Sequence, residues 1–377
     1  MTAPVCLDLS ELVANPLRSG IQRIEREAIR HWPGPAPLLA CHVDGEGRLR
    51  RLPGAVLDVL CAEDDGSAVA RQAERRALGE LVAAGETLPA VAGMRLLNLE
   101  LFFAPARADA HLRLAAGGVR VMWYLYDFLP FLRPDLFAQG TTRHCMHFLR
   151  GLRAAAALAF LSPQTREDYA RHVVRRAPAA ALGPVLLPGA DGLGLERQRF
   201  APGRHRFVAI GTVEPRKNPM ALLLAFETLW RRGLDAHLVV AGRIAPDASE
   251  ARDFFARHAD EPRLVVLDQP ADETLRGLLR AARAVVMPSE AEGFGLPPYE
   301  AIAAGIPAIA SARLPSAAML PQGAMLLEQM TAPALADAVA ALLDDATAAR
   351  LWQAAAALRL PRWAEFGRDL GAWAQDG

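Results

Sequence analysis

The stretch that most constrains this chain is residues 284–310, AVVMPSEAEGFGLPPYEAIAAGIPAIA. AVVMP is a short apolar run stopped by a proline, as expected of a buried strand. The loop SEAEGFG follows, with Gly293 and Gly295 bracketing Phe294. Pro297 and Pro298 pre-set φ for a helix start and give up N–H groups that a first turn leaves orphaned. Residues 299–304 then read as a short helix ended by Gly305, and IPAIA resumes as strand. Such a unit offers backbone N–H groups and a positive dipole end to an anion, most often a phosphate. Two carboxylates ride on it in the spacing E-x7-E, Glu292 in the loop and Glu300 in the first helical turn. A carboxylate cannot bind phosphate, so the pair suits flanking hydroxyls, such as those of a nucleotide sugar. The plain alternatives are a solvated loop residue and a glutamate that complements the helix dipole.

At about 150 residues per domain, 377 residues suggest two domains. A formal charge of zero argues against a protein that binds nucleic acid by neutralising phosphates. No charged leader with an apolar core opens the chain, and no apolar run is long enough to span a bilayer, so a cytoplasmic protein is expected. Cys6, Cys41, Cys61 and Cys145 show no paired spacing and read as reduced thiols. Of 42 basic side chains, Lys217 is the sole lysine. A lysine kept where arginine is otherwise universal suggests a need for a compact ammonium rather than a planar fork. It sits in GTVEPRKNP, before a helix over residues 219–232 with Asn218 as N-cap, Pro219 at N1 and Gly233 as its stop.

Strands are expected at VCLDLS, PLLACHV, AVLDVLC, MRLLNLE, VRVMWYLYDF, ALAFLS and PVLLPG. A second set follows at FVAIGT, AHLVVAG, RLVVLD, AVVMP and IPAIA. Helical patterns lie between them, among them residues 68–84 with Val69, Ala73, Ala77 and Leu81 in register. This alternation predicts doubly wound parallel sheets. After the first strand, Ser19 and Gln22 form a capping-box signature, with Gly20 at N1 of a helix that aligns Ile21, Ile24, Ala28 and Trp32. Ligands sit at such strand ends in open α/β sheets. His144 and His147, in RHCMH, lack a carboxylate or thiolate pair in spacing and read as an ordinary helix face rather than a metal site. Residues 190–206 are glycine-rich, charged and aperiodic, as in an interdomain linker.

PSEAEGFGLPPYEAIAAGIPAIA closely resembles the signature of retaining glycosyltransferases of family 4, which have the GT-B fold. The resemblance implies that Glu292 contacts the donor sugar and Glu300 the ribose hydroxyls. It places the backbone of Gly293, Phe294, Gly295 and Leu296 near the diphosphate. GTVEPRKNP resembles the diphosphate-binding segment, whose lysine, here Lys217, reaches the phosphates. The family's arginine five residues earlier is Thr212 here, and Arg216 is the candidate for the missing charge. SGIQR resembles the N-terminal loop of a bacterial branch that contains polysaccharide mannosyltransferases, in which a glycine, here Gly20, lets donor phosphate or acceptor approach the backbone. YDFLPFLRPDLF resembles a segment that usually reads His-Asp-x-x-Pro. Tyr126 stands in place of the histidine, and Asp127 is expected to orient the acceptor or act as a base, with a turn or helix-capping role as the alternative.

The fold so implied is α/β of GT-B type, two Rossmann-like doubly wound parallel-sheet domains facing a cleft. The domains would be residues 1–195 on the acceptor side, 196–345 for the nucleotide sugar, and 346–377 as C-terminal helices returning to the first domain. Trp363, Phe366, Leu370 and Trp373 make the docking stripe of the last helix, favoured over a membrane-surface role because few arginines accompany them. The implied activity is retaining hexosyl transfer, mannose favoured, from a nucleoside-diphosphate sugar to a hydroxyl of a glycan or lipid-linked glycan. GDP-mannose is the favoured donor, with UDP- or dTDP-sugars as alternatives. No cofactor is expected, and the lack of a D-x-D motif predicts no metal. Peripheral contact with the inner face of a membrane fits such an acceptor. The rival readings are a nucleotide-sugar 2-epimerase of the same fold and a non-catalytic nucleotide-sugar-binding protein.

Overall fold

The computed structural model describes residues 4–33, 37–62, 67–137, 140–174 and 182–376. The chain divides into two compact units, Met1–Gly189 with Pro361–Gly377, and Ala190–Leu360.

The first unit holds a seven-stranded sheet. Its strands are β1 (Val5–Asp8), β2 (Leu38–Val43), β3 (Leu49–Arg51), β4 (Glu86–Thr87), β5 (Arg95–Asn98), β6 (Arg120–Leu125) and β7 (Ala155–Phe160). They lie in the order β4-β3-β2-β1-β5-β6-β7. β2, β1, β5, β6 and β7 run parallel, while β3 and β4 add an antiparallel edge. That edge departs from the all-parallel expectation. Its strands are two and three residues long, too short for alternation to register in sequence.

Three local expectations are corrected here. AVLDVLC is a helix, Ala55–Cys61, not a strand. The Pro53-Gly54 turn starts it, accepting hydrogen bonds from Val56 and Leu57, and Val56 and Leu60 at i and i+4 are its buried residues. PVLLPG contributes one bridge, Val185 to Phe160, and no strand. The helix Ala68–Ala83 forms, but Val69 is 77% exposed and Leu78 is its buried residue, so its inner face is rotated from the one expected.

The core of this unit gathers Leu96, Val121, Trp123, Phe102, Phe148 and Phe160 on the sheet. The last helix, Trp363–Asp376, also belongs to it. Trp363, Phe366 and Leu370 are buried as expected of a docking stripe, with Ala374 continuing it, while Trp373 is half-exposed. Phe366 meets Tyr124 edge to face at 5.7 Å, and Arg95 donates to the Gln375 carbonyl at 2.8 Å.

The second unit is a six-stranded, wholly parallel sheet: β8 (Arg206–Ile210), β9 (His237–Ala241), β10 (Leu264–Leu267), β11 (Ala284–Met287), β12 (Ala308–Ser311) and β13 (Ala324–Leu327). The order is β10-β9-β8-β11-β12-β13. β11 is wholly apolar and β8, β9 and β12 are apolar but for one end residue each, as strands covered on both faces require. The helix Asp345–Ala357, grouped in sequence with the tail, lies in this unit. Its Trp352 is buried, with Nε1 donating to the Arg283 carbonyl at 2.9 Å.

Strand order reverses direction between β8 and β11 in the second unit and between β1 and β5 in the first. Loops leaving the carboxyl ends of those pairs diverge, and a crevice opens between them.

Candidate functional site

At the switch point of the second unit, one loop leaves β8 and the other leaves β11. The first passes through Gly211 into a 3-10 turn, Pro215–Lys217, and then into the helix Pro219–Arg231. Asn218 holds a left-handed backbone (φ 54°) at the junction and makes no side-chain cap, contrary to expectation. Its amide instead donates to the Met330 carbonyl at 2.8 Å, tying the turn to a loop beyond β13. The turn puts Arg216 and Lys217 on the same partner. Arg216 Nη1 meets Glu292 Oε2 at 3.1 Å and Nη2 meets Glu214 Oε1 at 2.6 Å. Lys217 Nζ lies 4.0 Å from Glu292 Oε1 and folds back over Gly211, 3.0 Å from where a Cβ would stand. Burial works against the Arg216 charge, but the Glu292 and Glu214 carboxylates overcome it and raise its pKa.

Glu292 is 12% exposed, and its Oε1 accepts no hydrogen bond among the described residues. One carboxylate oxygen is therefore committed to Arg216, and the other is left beside the lysine. Between the loops lies a small cavity of about 40 Å³, lined by Gly211, Thr212, Lys217, Leu222, Pro288 and Ser289. Ser289 is buried, and its Oγ has no hydrogen-bond partner among the described residues.

The GFG segment is held from behind. Phe294 is buried against Tyr299, ring centroids 5.0 Å apart, so only its backbone remains for a ligand. Ser316 donates its N–H to the Phe294 carbonyl at 3.0 Å and its hydroxyl to the Gly295 carbonyl at 3.2 Å. Gly295 has φ +97°, and a Cβ there would stand 2.8 Å from Ser316 Oγ. The helix runs over Leu296–Ala303, starting before the prolines rather than after them. Pro297 and Pro298 thus occupy its second and third positions, leaving Leu296 as the first-turn amide. Glu300 stands one turn in, not in the first turn, with 2% exposure.

Gly20 and Asp127 belong to the first unit. β1 ends at Asp8, earlier than expected, and a short helix Ser10–Ala14 intervenes before the helix Gly20–Arg30, which Gly20 opens. Ser19 Oγ accepts from Gln22 N, completing half of a capping box. The Gln22 amide turns instead to the loop, accepting from Leu17 N and donating to the Asn15 carbonyl at 2.8 Å. Asp127 Oδ1 accepts from Leu129 N at 2.9 Å, which is the helix-start alternative. Tyr126 turns inward, its hydroxyl donating to the Leu99 carbonyl at 2.6 Å.

A buried charge network that sequence reading missed lies at this switch point. Asp8 ends β1 and Asn98 ends β5. Arg107 bonds Asp8 at 2.8 Å and Asn98 at 3.0 Å, and also pairs with Glu100. His111 Nε2 lies 2.9 Å from Asp8. Glu100 accepts from the amides of Glu11 and Leu12 at 2.9 and 2.8 Å, capping the short helix that leads toward Gly20. Burial would raise the Asp8 pKa, but Arg107 and His111 hold it well below the usual range. Glu25 is buried beside them, and desolvation followed by the Glu100 charge raises its pKa well above the usual range.

Glu25 therefore holds its proton more tightly in the fold than in the unfolded chain. In the window above the unfolded pKa and below the folded one, the native state binds the extra proton, so stability falls as pH rises, by up to ~1.4 kcal/mol per pH unit. Denaturant midpoints followed upward in pH from the ordinary carboxylate range should show this decline. Glu25→Gln, which mimics the neutral form, should reduce it, and the remainder belongs to Glu100, whose carboxyl burial pushes up to about 7.

Residues 195–359 match the family described as glycosyl transferases group 1. That stretch is a glycosyl transferases group 1 domain. The matched domain contains Lys217, Glu292 and Glu300 and both loops of the switch point. Over 212 residues the chain is 30% identical to the serotype-specific mannosyltransferase WbdA of Escherichia coli, covering 52% of this chain and 26% of WbdA. The chain thus matches about a quarter of the length of that relative. Sucrose-phosphate synthase from Thermosynechococcus elongatus superposes with a TM-score of 0.66 at 18% identity over 98% of each chain. HepE of Anabaena, solved with UDP and glucose, gives 0.66 at 14% identity over 99% of each. These likenesses are of fold: two parallel-sheet α/β domains of GT-B type, the second being the group 1 domain.

Proposed function

We propose that the chain transfers a hexose, mannose favoured, from a nucleoside-diphosphate sugar to a hydroxyl of a glycan or lipid-linked glycan, with retention and without a metal. The observation that carries this reading is the meeting of Lys217, Arg216 and Glu292 across the β8–β11 switch point beside the GFG loop. Departure of the diphosphate is the costly step. Preorganised positive charge and amides placed where negative charge develops lower its barrier. In this reading Lys217 and Arg216 supply that charge, and the backbone of Gly293–Leu296 lies along the diphosphate. Glu292 receives a sugar hydroxyl on the oxygen not bonded to Arg216, and Glu300 takes the ribose hydroxyls. Mannose is favoured from the likeness to the mannosyltransferase WbdA, and GDP-mannose is the favoured donor of this reading. Gly20 and Asp127 take acceptor-side or phosphate-side roles, and a lipid-linked acceptor places the protein at the inner face of a membrane.

Incubation with GDP-, UDP- and dTDP-sugars and candidate acceptors tests the proposal. Nucleoside diphosphate and an extended acceptor are expected, with turnover unaffected by EDTA. A free nucleotide with a rearranged sugar, or no product with any donor, overturns it.

The two glutamates should separate. Glu300→Gln should weaken binding of the free nucleoside diphosphate roughly tenfold or more, as expected when a buried charge-assisted hydrogen bond is lost. Glu292→Gln should leave that binding nearly intact and lower turnover. Calorimetric titration of both variants beside steady-state rates checks the assignment.

A further inference from the structure

The helix Thr141–Leu152 carries an outer face that the sugar-transfer reading does not use. Its inner face, Cys145, Phe148 and Leu152, is buried in the first unit. At about 100° per residue, Arg143, Met146, His147, Arg150 and Arg153 fall on one outward stripe roughly 120° wide. Arg143, Met146, Arg150 and Arg153 are exposed, with Met146 at 53%, and His144 is exposed at the stripe's edge. The helix contains no acidic residue. Among the described residues, Asp109 pairs with Arg150 at 2.5 Å, and no ion-pair partner meets Arg143, His144, His147 or Arg153.

Helix stability does not account for this face. Arg150 and Arg153 complement the negative end of the dipole, but Arg143 and His144 stand near the positive end, where a cation is unfavourable. The first turn has no acid and its N-cap, Gly140, offers no side chain. The bias extends beyond the helix: residues 101–189 carry eleven arginines against five acids in a chain of zero formal charge.

We propose that this stripe docks on an anionic lipid surface, with the arginines on head-group phosphates and Met146 entering between them. Guanidinium groups bind phosphate through two parallel N–H···O bonds. A thioether set among the arginines of the stripe suits a surface with phosphates outside and hydrocarbon beneath, and a nucleic-acid backbone offers no such layer. No described helix is long and apolar enough to cross a membrane, so the contact is peripheral. It stands independently of the transferase reading.

Sedimentation of the full chain with vesicles tests it, using phosphatidylcholine alone and phosphatidylcholine with one-third phosphatidylglycerol. Binding is expected to the anionic vesicles only and should weaken several-fold between ~0.15 and ~0.5 M salt as screening shortens. Since each arginine near an anionic leaflet is worth roughly fivefold, Arg143→Glu with Arg153→Glu should weaken binding at least ~20-fold. Arg143→Gln with Arg153→Gln provides the milder pair if charge reversal perturbs the fold, which circular dichroism reads. Met146→Ser should cost a further few-fold. Three results overturn the proposal: no binding of the wild type to anionic vesicles, equal binding by a folded double variant, or tighter binding to a DNA duplex than to the vesicles.

Discussion

Lys217→Ala should lower turnover about a hundredfold while leaving the protein folded. One well-placed electrostatic contact in the transition state is worth on the order of 3 kcal/mol, and about 1.4 kcal/mol is a factor of ten in rate. Lys217 is 23% exposed on a surface turn, so its removal opens no core cavity. Lys217→Arg should lose a good part of the same rate. The ammonium folds over Gly211 with little room, and Arg216 already occupies the far oxygen of Glu292. A second planar fork must displace one of these neighbours or stand further from the leaving oxygen. Steady-state rates and melting temperatures of both variants decide. Near wild-type turnover in Lys217→Ala would return this residue to the surface.

The second large effect concerns stability. Arg107→Met should destabilise the chain by about 3–5 kcal/mol, because breaking a buried ion pair from one side strands the other charge. Here two carboxylates are stranded, Asp8 and Glu100, both almost fully buried. The same substitution removes the counter-charge near Glu25, so the loss should be greatest at alkaline pH. Denaturant titration at several pH values measures it. A loss below about 1 kcal/mol, typical of an exposed pair, would mean that the network is solvated.

Long elements of local origin were legible in the sequence. Five of the six parallel strands of the second unit, all but β13 (Ala324–Leu327), with the switch-point loops and the docking helix, follow from apolar runs, glycine and proline punctuation, and helical spacing. Ala55–Cys61 was not, because a seven-residue apolar run fits a buried strand and a buried helix equally, and the Pro53-Gly54 turn decided it. Asn218 and Gln22 were placed correctly in the chain but given the wrong partners. Both were read as local caps, and both bond instead to loops, Asn218 to one 112 residues away. The Asp8–Arg107–Glu100 network left no local trace at all, since Arg107 lies 99 residues from Asp8. At the candidate site, E-x7-E and the lone lysine marked the two loops. The Arg216–Glu292 pair, the orphaned Ser289 hydroxyl and the clamp made by Ser316 needed the fold to bring them together.

The first unit is discontinuous: its sheet is complete by residue 189, but its last helix is written after the whole of the second unit. On a ribosome, Ala190–Leu360 is synthesised as one uninterrupted piece and can close its core as soon as it clears the exit tunnel. The earlier half must wait, with the surface around Tyr124 and Arg95 uncovered, until Trp363, Phe366 and Gln375 emerge. Vectorial synthesis therefore reverses the order of the sequence, so that the domain begun first is the one finished last.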